Sequence, residues 1–317
     1  MSDFLVTVVI PVYNEESQIV ESIQIINNIM IQSDINHNFL LVDDGSKDNT
    51  WQAIKEISKV TAGIEAIKLS RNFGKESALC AALEIVSGDA CLIIDADLQH
   101  PPKMIPEMVK LWRESGFDVV EGVKSSRGKE KLANKMGAVM FYNLLRKSSG
   151  IDLRMASDFK LLDIKVIEAW RQMGERNTFF RGMSAWVGYK RASIPFSVTE
   201  RTKGNSKWSI LHLVKLATNA ITSFSSLPLQ MVTFLGVLFL IGSFFLGIQT
   251  LFMKLSKEAV SGFTTVILLQ LLIGSSLMIS LGIIGTYIAK IYDEVKYRPR
   301  YLVAEKITSP VNEKEKE

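Results

Sequence analysis

Asp95 and Asp97 stand two positions apart where an apolar run, residues 91–94, stops, and Pro101-Pro102 closes the segment soon after. An extended chain sends alternate side chains to one side, so the two carboxylates face the same way. Prolines block further strand and open a helix readily. Hard oxygen ligands at this spacing suit Mg²⁺ or Mn²⁺ carrying a diphosphate. The plainer alternative is that one aspartate caps the following helix and the other is merely exposed.

The elements that position this pair repeat a simple unit. Residues 4–12 are rich in β-branched side chains and end in Pro11-Val12-Tyr13-Asn14-Glu15-Glu16, after which Ile19, Ile23, Ile26, Ile29 and Met30 recur at helical spacing. Residues 39–42 end in Asp43-Asp44-Gly45-Ser46-Lys47-Asp48, a turn-forming stretch, with Asn49 or Thr50 placed to cap a helix carrying Ile54 and Ile57. Residues 64–69 lead into Ser70-Arg71-Asn72-Phe73-Gly74-Lys75-Glu76 and a helix through Ala78, Ala82 and Ile85 that stops at Gly88. Strands alternating with helices predict an α/β domain with a mostly parallel sheet covered on both faces. Ligands of such sheets gather at the carboxyl ends of the strands. Tyr13, Glu15, Asp44, Lys75, Asp95 and Asp97 therefore converge on one rim, which favours the metal-site reading. No Gly-x-Gly-x-x-Gly follows the first strand, which argues against a dinucleotide-binding domain.

Further along, the pattern predicts a proline-initiated helix to about residue 115, a strand over 117–123 and a basic helix over 129–147. Ser157-Asp158-Phe159-Lys160-Leu161-Leu162 reads as a short strand headed by a carboxylate, followed by helical spacing at Val166, Ile167 and Trp170. Asp158 is either held near the site or caps or pairs with a nearby arginine. After a last strand over 189–198, Glu200-Arg201-Thr202-Lys203-Gly204-Asn205-Ser206-Lys207 is a basic, glycine-containing loop suited to phosphate, or an ordinary solvated loop beside a membrane.

Composition adds the compartment. Of 317 residues, 47% are hydrophobic, and residues 229–252 and 263–289 hold no charge at all. Each run is near or above the roughly 20 residues a helix needs to cross a bilayer. Between Lys207 and the first run, Ile210, Leu213, Val214, Ala217, Ile221 and Phe224 mark an amphipathic helix lying in the membrane interface. Lys203, Lys207 and Lys215 precede the first run, and Lys290, Lys296, Arg298 and Arg300 follow the second. The connection over 253–262 carries only Lys254, Lys257 and Glu258, so both ends are expected in the cytoplasm and the spans form a hairpin. The net charge of +4 without a long basic run excludes nucleic acid as an evident partner. Cys80 and Cys91 both sit in apolar segments, as reduced core thiols do. The first apolar run lacks a basic leader and is cut by Pro11, which reads as a strand rather than a signal peptide. The charged stretch 308–317 is expected to be disordered.

Pro11-Val12-Tyr13-Asn14-Glu15, Val42 to Ser46, Arg71 to Lys75, Asp95-Ala96-Asp97-Leu98-Gln99, Ser157-Asp158-Phe159 and Arg201 to Lys207 together resemble the family 2 glycosyltransferases that charge polyprenyl phosphate. Glu175-Arg176-Asn177, Trp186-Val187-Gly188, Ile221 to Phe224 and Arg298-Pro299 resemble the bactoprenol glucosyltransferases within them, and dolichol-phosphate mannosyltransferase is a more distant relative. The resemblance covers nearly the whole chain. It implies a GT-A fold in which Pro11, Tyr13, Glu15, Asp44, Lys75 and Asp95 contact the nucleotide sugar, with Asp44 reading the uracil. It further implies that Asp95, Asp97 and Gln99 belong to the metal and diphosphate site, that Asp158 is the catalytic base, and that Arg201, Ser206 and Lys207 hold the acceptor phosphate. Gly285-Thr286-Tyr287 departs from a Gly-Glu-Tyr common in the family.

These readings give a GT-A domain over residues 1–200, an acceptor loop and juxtamembrane helix over 201–228, two transmembrane helices over 229–289 and a cytoplasmic tail over 290–317. The expected activity is inverting transfer of glucose from UDP-glucose to undecaprenyl phosphate on the cytoplasmic face of the inner membrane, with Mg²⁺ or Mn²⁺. GDP-mannose, UDP-GlcNAc or a modified sugar is the alternative donor. A glycolipid-binding or translocating protein is the rival class, for which Gln230, Gln249 and Gln270 offer a poor polar path. Small residues repeat at i, i+4 in the second span (Ser276 and Ser280, Gly282 and Thr286, Gly285 and Ala289), and with the family resemblance they suggest a homo-oligomer.

Overall fold

A computed structural model of the chain describes residues 3–124, 157–175, 180–196, 226–256 and 262–308. These residues fall into two compact units, the first holding the described residues up to 196 together with 298–308, the second holding 226–256 and 262–297.

The first unit is built on β1 (Val6–Val12), β2 (His37–Asp43), β3 (Ile64–Leu69) and β4 (Ala90–Ile93), which pair in parallel in the order β4-β1-β2-β3. The crossovers are α1 (Ile19–Gln32), α2 (Thr50–Val60) and α3 (Lys75–Ile85). Alternation within β1 sends Val6, Val8, Ile10 and Val12 into one apolar cluster with Ile19, Ile23, Ile26 and Met30 of α1 and Ile54 of α2. The intervening Val9 is as fully buried, and α3 packs on β1 and β2 with Ala78 through Leu83 buried all round. Each such aliphatic side chain taken from water contributes about 1.5–3 kcal/mol, so the rim loops stand on a stiff base.

Beyond β4 a 3₁₀ turn, Pro102–Met104, leads into α4 (Ile105–Ser115), which ends at Gly116 in the left-handed region, φ 63°. β5 (Val119–Lys124), β6 (Lys160–Asp163), α5 (Ile164–Arg171), α6 (Phe180–Trp186) and β7 (Arg191–Phe196) follow. The mostly parallel sheet holds antiparallel members as well: β6 inserts between β4 and β5 antiparallel to both, while β5 and β7 are parallel. The sheet is mixed, in the order β7-β5-β6-β4-β1-β2-β3-β8. Its last member, β8 (Val303–Ile307), runs antiparallel to β3 and follows the second apolar helix in sequence. Charged residues in residues 303–307 hid it in the sequence. Lys55 and Trp51 both meet Glu305, at 2.6 and 2.9 Å, and tie it down.

The second unit is a pair of helices, α7 (Leu227–Leu255) and α8 (Phe263–Val295). Both are long and apolar enough to cross a membrane, and none of their most apolar stretch is buried within the protein. At 1.5 Å per residue they run roughly 44 and 50 Å, longer than the ~30 Å hydrocarbon core. The second extends past residue 289, where the uncharged run ends. The basic helix over 129–147, the loop with Arg201, Ser206 and Lys207, and the amphipathic helix over 207–224 lie outside the described residues.

Candidate active site

Four strand ends deliver the site. A pocket of about 310 Å³ opens there, lined among others by Pro11, Tyr13, Glu15, Asp44, Lys75, Asp95 and Asp97. The rim expected from alternation is therefore assembled. Tyr13, 39% exposed, is an aromatic face beside it.

The first two loops are stitched together by backbone and short side chains. Asn14 adopts φ 56°, its N–H donates to Ser46 Oγ at 2.9 Å and its Oδ1 accepts from Lys47 N at 2.9 Å. Thr50 does not cap α2 with its hydroxyl. Asp48 accepts from Thr50 N at 3.1 Å, while Thr50 Oγ1 accepts from Glu15 N at 2.8 Å. Glu15 is thereby fixed at the pocket, and burial, then Asp97, Asp48 and Asp95, hold its carboxyl above the ordinary range.

Asp44 has structural partners that the sequence did not reveal. Its Oδ1 accepts from Phe73 N at 2.7 Å and its Oδ2 from Gly74 N at 2.8 Å, so it clamps the loop that carries Lys75. Burial raises its pKa against the pull of these two N–H donors. Gly45, at φ +68°, makes the clamp possible: a Cβ there would sit 2.7 Å from Arg71 Cα and 2.8 Å from the Arg71 carbonyl oxygen.

Asp97 Oδ1 accepts from Gln99 N at 3.1 Å, which turns the chain after the pair, and Leu98 takes φ 52° in that turn. Behind it His100 stacks on Phe159, centroids 5.3 Å apart, with Nδ1 3.9 Å from Asp95 Oδ2. Asp95 Oδ1 lies 2.6 Å from Lys75 Nζ, and the same ammonium donates to Asp158 Oδ2 at 2.8 Å. The antiparallel insertion of β6 explains the meeting. Ile93 is in register with Lys160, so carrying that register two residues onward sets Asp158 opposite Asp95. In a parallel sheet the head of β6 would lie at the opposite end.

Of the two readings of Asp158, nearness to the site and pairing with an arginine, both hold. Arg181 Nε donates to Oδ1 at 2.7 Å and Nη2 to Oδ2 at 2.8 Å, and with Lys75 they outweigh burial and hold the carboxyl well below the usual carboxylate range. Lys75 is itself raised, burial being outweighed by Asp158 and Asp95. Arg181, Glu76, Lys160 and Ser184 were missed in the sequence. The available signal was a cation inside the small apolar stretch Phe180-Arg181-Gly182-Met183, where helical spacing alone offered it no partner.

The Glycosyl transferase family 2 model matches residues 7–165, the stretch that contains all of these strand-end carboxylates. The chain belongs to glycosyltransferase family 2. This glycosyltransferase is 38% identical over 299 residues to the uncharacterized glycosyltransferase YkcC of Bacillus subtilis, covering 94% of this chain and 92% of the relative. It is 37% identical over 304 residues to the uncharacterized glycosyltransferase sll0501 of Synechocystis sp., covering 94% of each. A protein of Shigella flexneri named SfII prophage-derived bactoprenol glucosyl transferase is 33% identical over 300 residues, covering 94% of this chain and 97% of that one. The mixed sheet with helical crossovers is the GT-A-like arrangement of the family.

The donor set of this glycosyltransferase fits a metal–diphosphate complex rather than a protein-only metal cage. Among the described residues no group of three or more His, Cys, Asp or Glu is assembled as a cage. Asp95 and Asp97 both line the pocket, and Mg²⁺ is commonly held by one or two carboxylates with substrate phosphates completing its shell. Gln99 follows in the same turn through its backbone N–H to Asp97.

Proposed function

We propose that this glycosyltransferase moves glucose from UDP-glucose to undecaprenyl phosphate at the cytoplasmic face of a membrane, with inversion at the anomeric carbon. The observation that carries the reading is one chain holding both a carboxylate-lined pocket at parallel strand ends and two unburied apolar helices. A water-borne donor and a membrane-borne acceptor suit that pairing. The sugar and the carrier follow the printed name of the Shigella flexneri relative, which matches over 94% of this chain.

Both ends of the helix pair lie on the same membrane side in this reading. The chain leaves the first unit before α7 and returns to it after α8, where β8 joins the sheet, so it crosses an even number of times. Lys290, Lys296, Arg298 and Arg300 on the returning chain favour the cytoplasm.

Asp95 and Asp97, with Gln99 beside them, would hold Mg²⁺ or Mn²⁺ with the donor diphosphate, and the cation would neutralise charge gathering on the departing UDP. Tyr13, Pro11, Glu15 and Asp44 border the nucleotide. In the transfer an acceptor phosphate oxygen forms the new bond to C1 as the C1–diphosphate bond breaks and its electron pair leaves with UDP. A phosphate monoester has a second pKa of about 6 and is mostly dianionic at neutral pH, so it has no proton to give up at attack. Asp158, saturated by Arg181 and Lys75, accordingly orients these cations rather than removing a proton. Arg201, Ser206 and Lys207 remain candidate acceptor-phosphate ligands on the sequence resemblance.

The test is UDP release by the purified full chain in nanodiscs, with and without undecaprenyl phosphate, across UDP-glucose, UDP-GlcNAc and GDP-mannose. UDP-glucose turnover that requires the lipid phosphate, and a glucosyl lipid by mass spectrometry, is the expected result. Turnover with another nucleotide sugar alone would reassign the donor, and no lipid-dependent release with any of them would remove the transferase reading of the acceptor.

A further inference from the structure

Lys75 opens α3, where the positive end of the helix dipole disfavours a cation. Its backbone is fixed just ahead: Asp44 holds the N–H groups of Phe73 and Gly74, and Gly74 takes φ +97°, a region that favours glycine. The remaining freedom lies in the side chain, a flexible stem ending in rotatable donors. That ammonium stands between two carboxylates, 2.8 Å from Asp158 Oδ2 and 2.6 Å from Asp95 Oδ1.

The two anchors differ. Asp158 is 9% exposed and gripped by the Arg181 fork. α6, which carries that arginine, is pinned where Phe180 N donates to Glu76 Oε2 at 2.7 Å and where Lys160 Nζ donates to Ser184 Oγ at 2.6 Å. Lys160 in turn lies 3.2 Å from Glu121 Oε2 on β5, and Glu121 Oε1 accepts from Arg191 Nη2 at 2.8 Å. Asp95 is 26% exposed and lines the pocket, so the contact that can be exchanged is the one to Asp95. Among the described residues lining that pocket Lys75 is the one cation, set against Glu15, Asp44, Asp95 and Asp97.

A divalent metal bound through Asp95 would share a carboxylate with an ammonium, and like charges so close repel. The ammonium is tethered, so a metal arriving alone meets a competitor that dilution never removes. A metal arriving with a nucleoside diphosphate meets a different balance. The diphosphate completes the metal shell and offers the ammonium anionic oxygens in exchange for Asp95, while Asp158 stays its partner.

We propose that Lys75 is the resident counter-ion of Asp95 and makes metal and nucleotide binding depend on each other: the metal with its nucleotide releases the ammonium from Asp95, and the metal alone does so poorly. Such coupling is reciprocal, each ligand raising the affinity of the other by the same factor. The inference rests on the reading of Asp95 and Asp97 as donor-metal ligands, and deepens it.

Mn²⁺ binding to the full chain in nanodiscs, followed by the electron paramagnetic resonance of free Mn²⁺, reads this without turnover. Lys75→Gln keeps a donor for Asp158 and loses the charge; its Kd for Mn²⁺ without nucleotide falls roughly tenfold or more below the wild-type value. Kd for Mn²⁺ at saturating UDP changes less, so the gain that UDP gives to Mn²⁺ binding shrinks. Calorimetry shows the same shrinkage in the gain that Mn²⁺ gives to UDP. Lys75→Met repeats the result with no donor at all. Mn²⁺ alone bound no more tightly by these variants than by the wild type overturns the proposal, and so does wild-type protein that binds Mn²⁺ equally well with and without UDP.

A double-mutant cycle separates displacement at Asp95 from the general effect of charge. Asp158→Asn in the wild-type background leaves the ammonium to Asp95 and weakens binding of Mn²⁺ without nucleotide roughly threefold or more; in the Lys75→Gln background the same change matters less than about twofold. Equal effects in both backgrounds reduce Lys75 to one charge among several and overturn the assignment. Mn²⁺ that binds no form, with or without UDP, removes the metal reading itself and the proposal with it. Nucleotide-dependent Mn²⁺ binding untouched by Lys75→Gln leaves that reading standing and removes only the counter-ion.

Discussion

Asp95 and Asp97 line the same pocket but have different neighbours. Lys75 is drawn to Asp95 at 2.6 Å, whereas Asp97 accepts from the Gln99 backbone N–H at 3.1 Å. Asn at position 97 can still accept that bond, so Asp97→Asn removes a charge and spares the turn. Turnover should fall by about 10²-fold or more with an unchanged melting temperature, and EDTA should do the same to the wild type until Mg²⁺ or Mn²⁺ is returned. Full turnover in EDTA would sink the metal reading. Asp158 yields a second prediction from its pKa. Arg181 and Lys75 keep it ionised throughout the range in which the protein is assayed, so an acid limb of kcat/KM for the acceptor near pH 6 belongs to the phosphate monoester. Asp158→Asn should lower the plateau and leave that limb in place. A limb that moves or vanishes in the variant would make Asp158 the base.

At the scale of elements, the contact between β5, β6 and α6 hangs on a buried ammonium. Burial drives Lys160 down to about 8 from its ordinary 10.5, with the Arg191 charge adding to the fall and Glu121 opposing it. The sign follows from proton counting. Between these two pH values the unfolded chain binds the proton and the folded one does not, so stability rises as pH climbs through that window. The melting temperature of the full chain in detergent should show a rise from pH 8 toward 10.5 that is absent from Lys160→Met. Below pH 8 that variant should be destabilised by roughly 3–5 kcal/mol, because Glu121 loses one of its two cations. A flat wild-type profile, or a variant that keeps the rise, would place the charge elsewhere.

For the whole molecule the open question is what the second unit packs against besides lipid. Gly282 and Gly285 of α8 have room around them: a Cβ at either would meet nothing within 4 Å. Among the described residues, the close approach that these two glycines allow is therefore not used between α7 and α8. Small residues spaced at i, i+4 in lipid favour helix association through packing. We accordingly expect a homo-oligomer, and Gly282→Leu combined with Gly285→Leu should reduce the mass of the detergent-solubilised particle in light scattering while UDP binding persists. An unchanged mass would locate the contacts elsewhere, and a monomeric wild type in nanodiscs would end the idea.

Strand-end carboxylates and membrane-length apolar runs are local in sequence, and local pattern was enough to read them. Period-2 and helical spacing marked β1 to β4 and their crossovers, the chemistry of Asp-x-Asp pointed to a diphosphate, and uncharged runs gave α7 and α8. Pairing between distant residues was not legible. Asp158 stands 83 residues from Lys75 and 23 from Arg181, and no spacing rule joins them. The antiparallel insertion of β6 decided that the head of that strand, not its end, would reach the rim. Asp44, which the resemblance assigns to the uracil, also clamps a neighbouring loop, because only the fold brings the Phe73 and Gly74 N–H groups to it. β8 carries too much charge to announce itself as a strand; backbone pairing with the free edge of β3, available only once the sheet exists, makes it one.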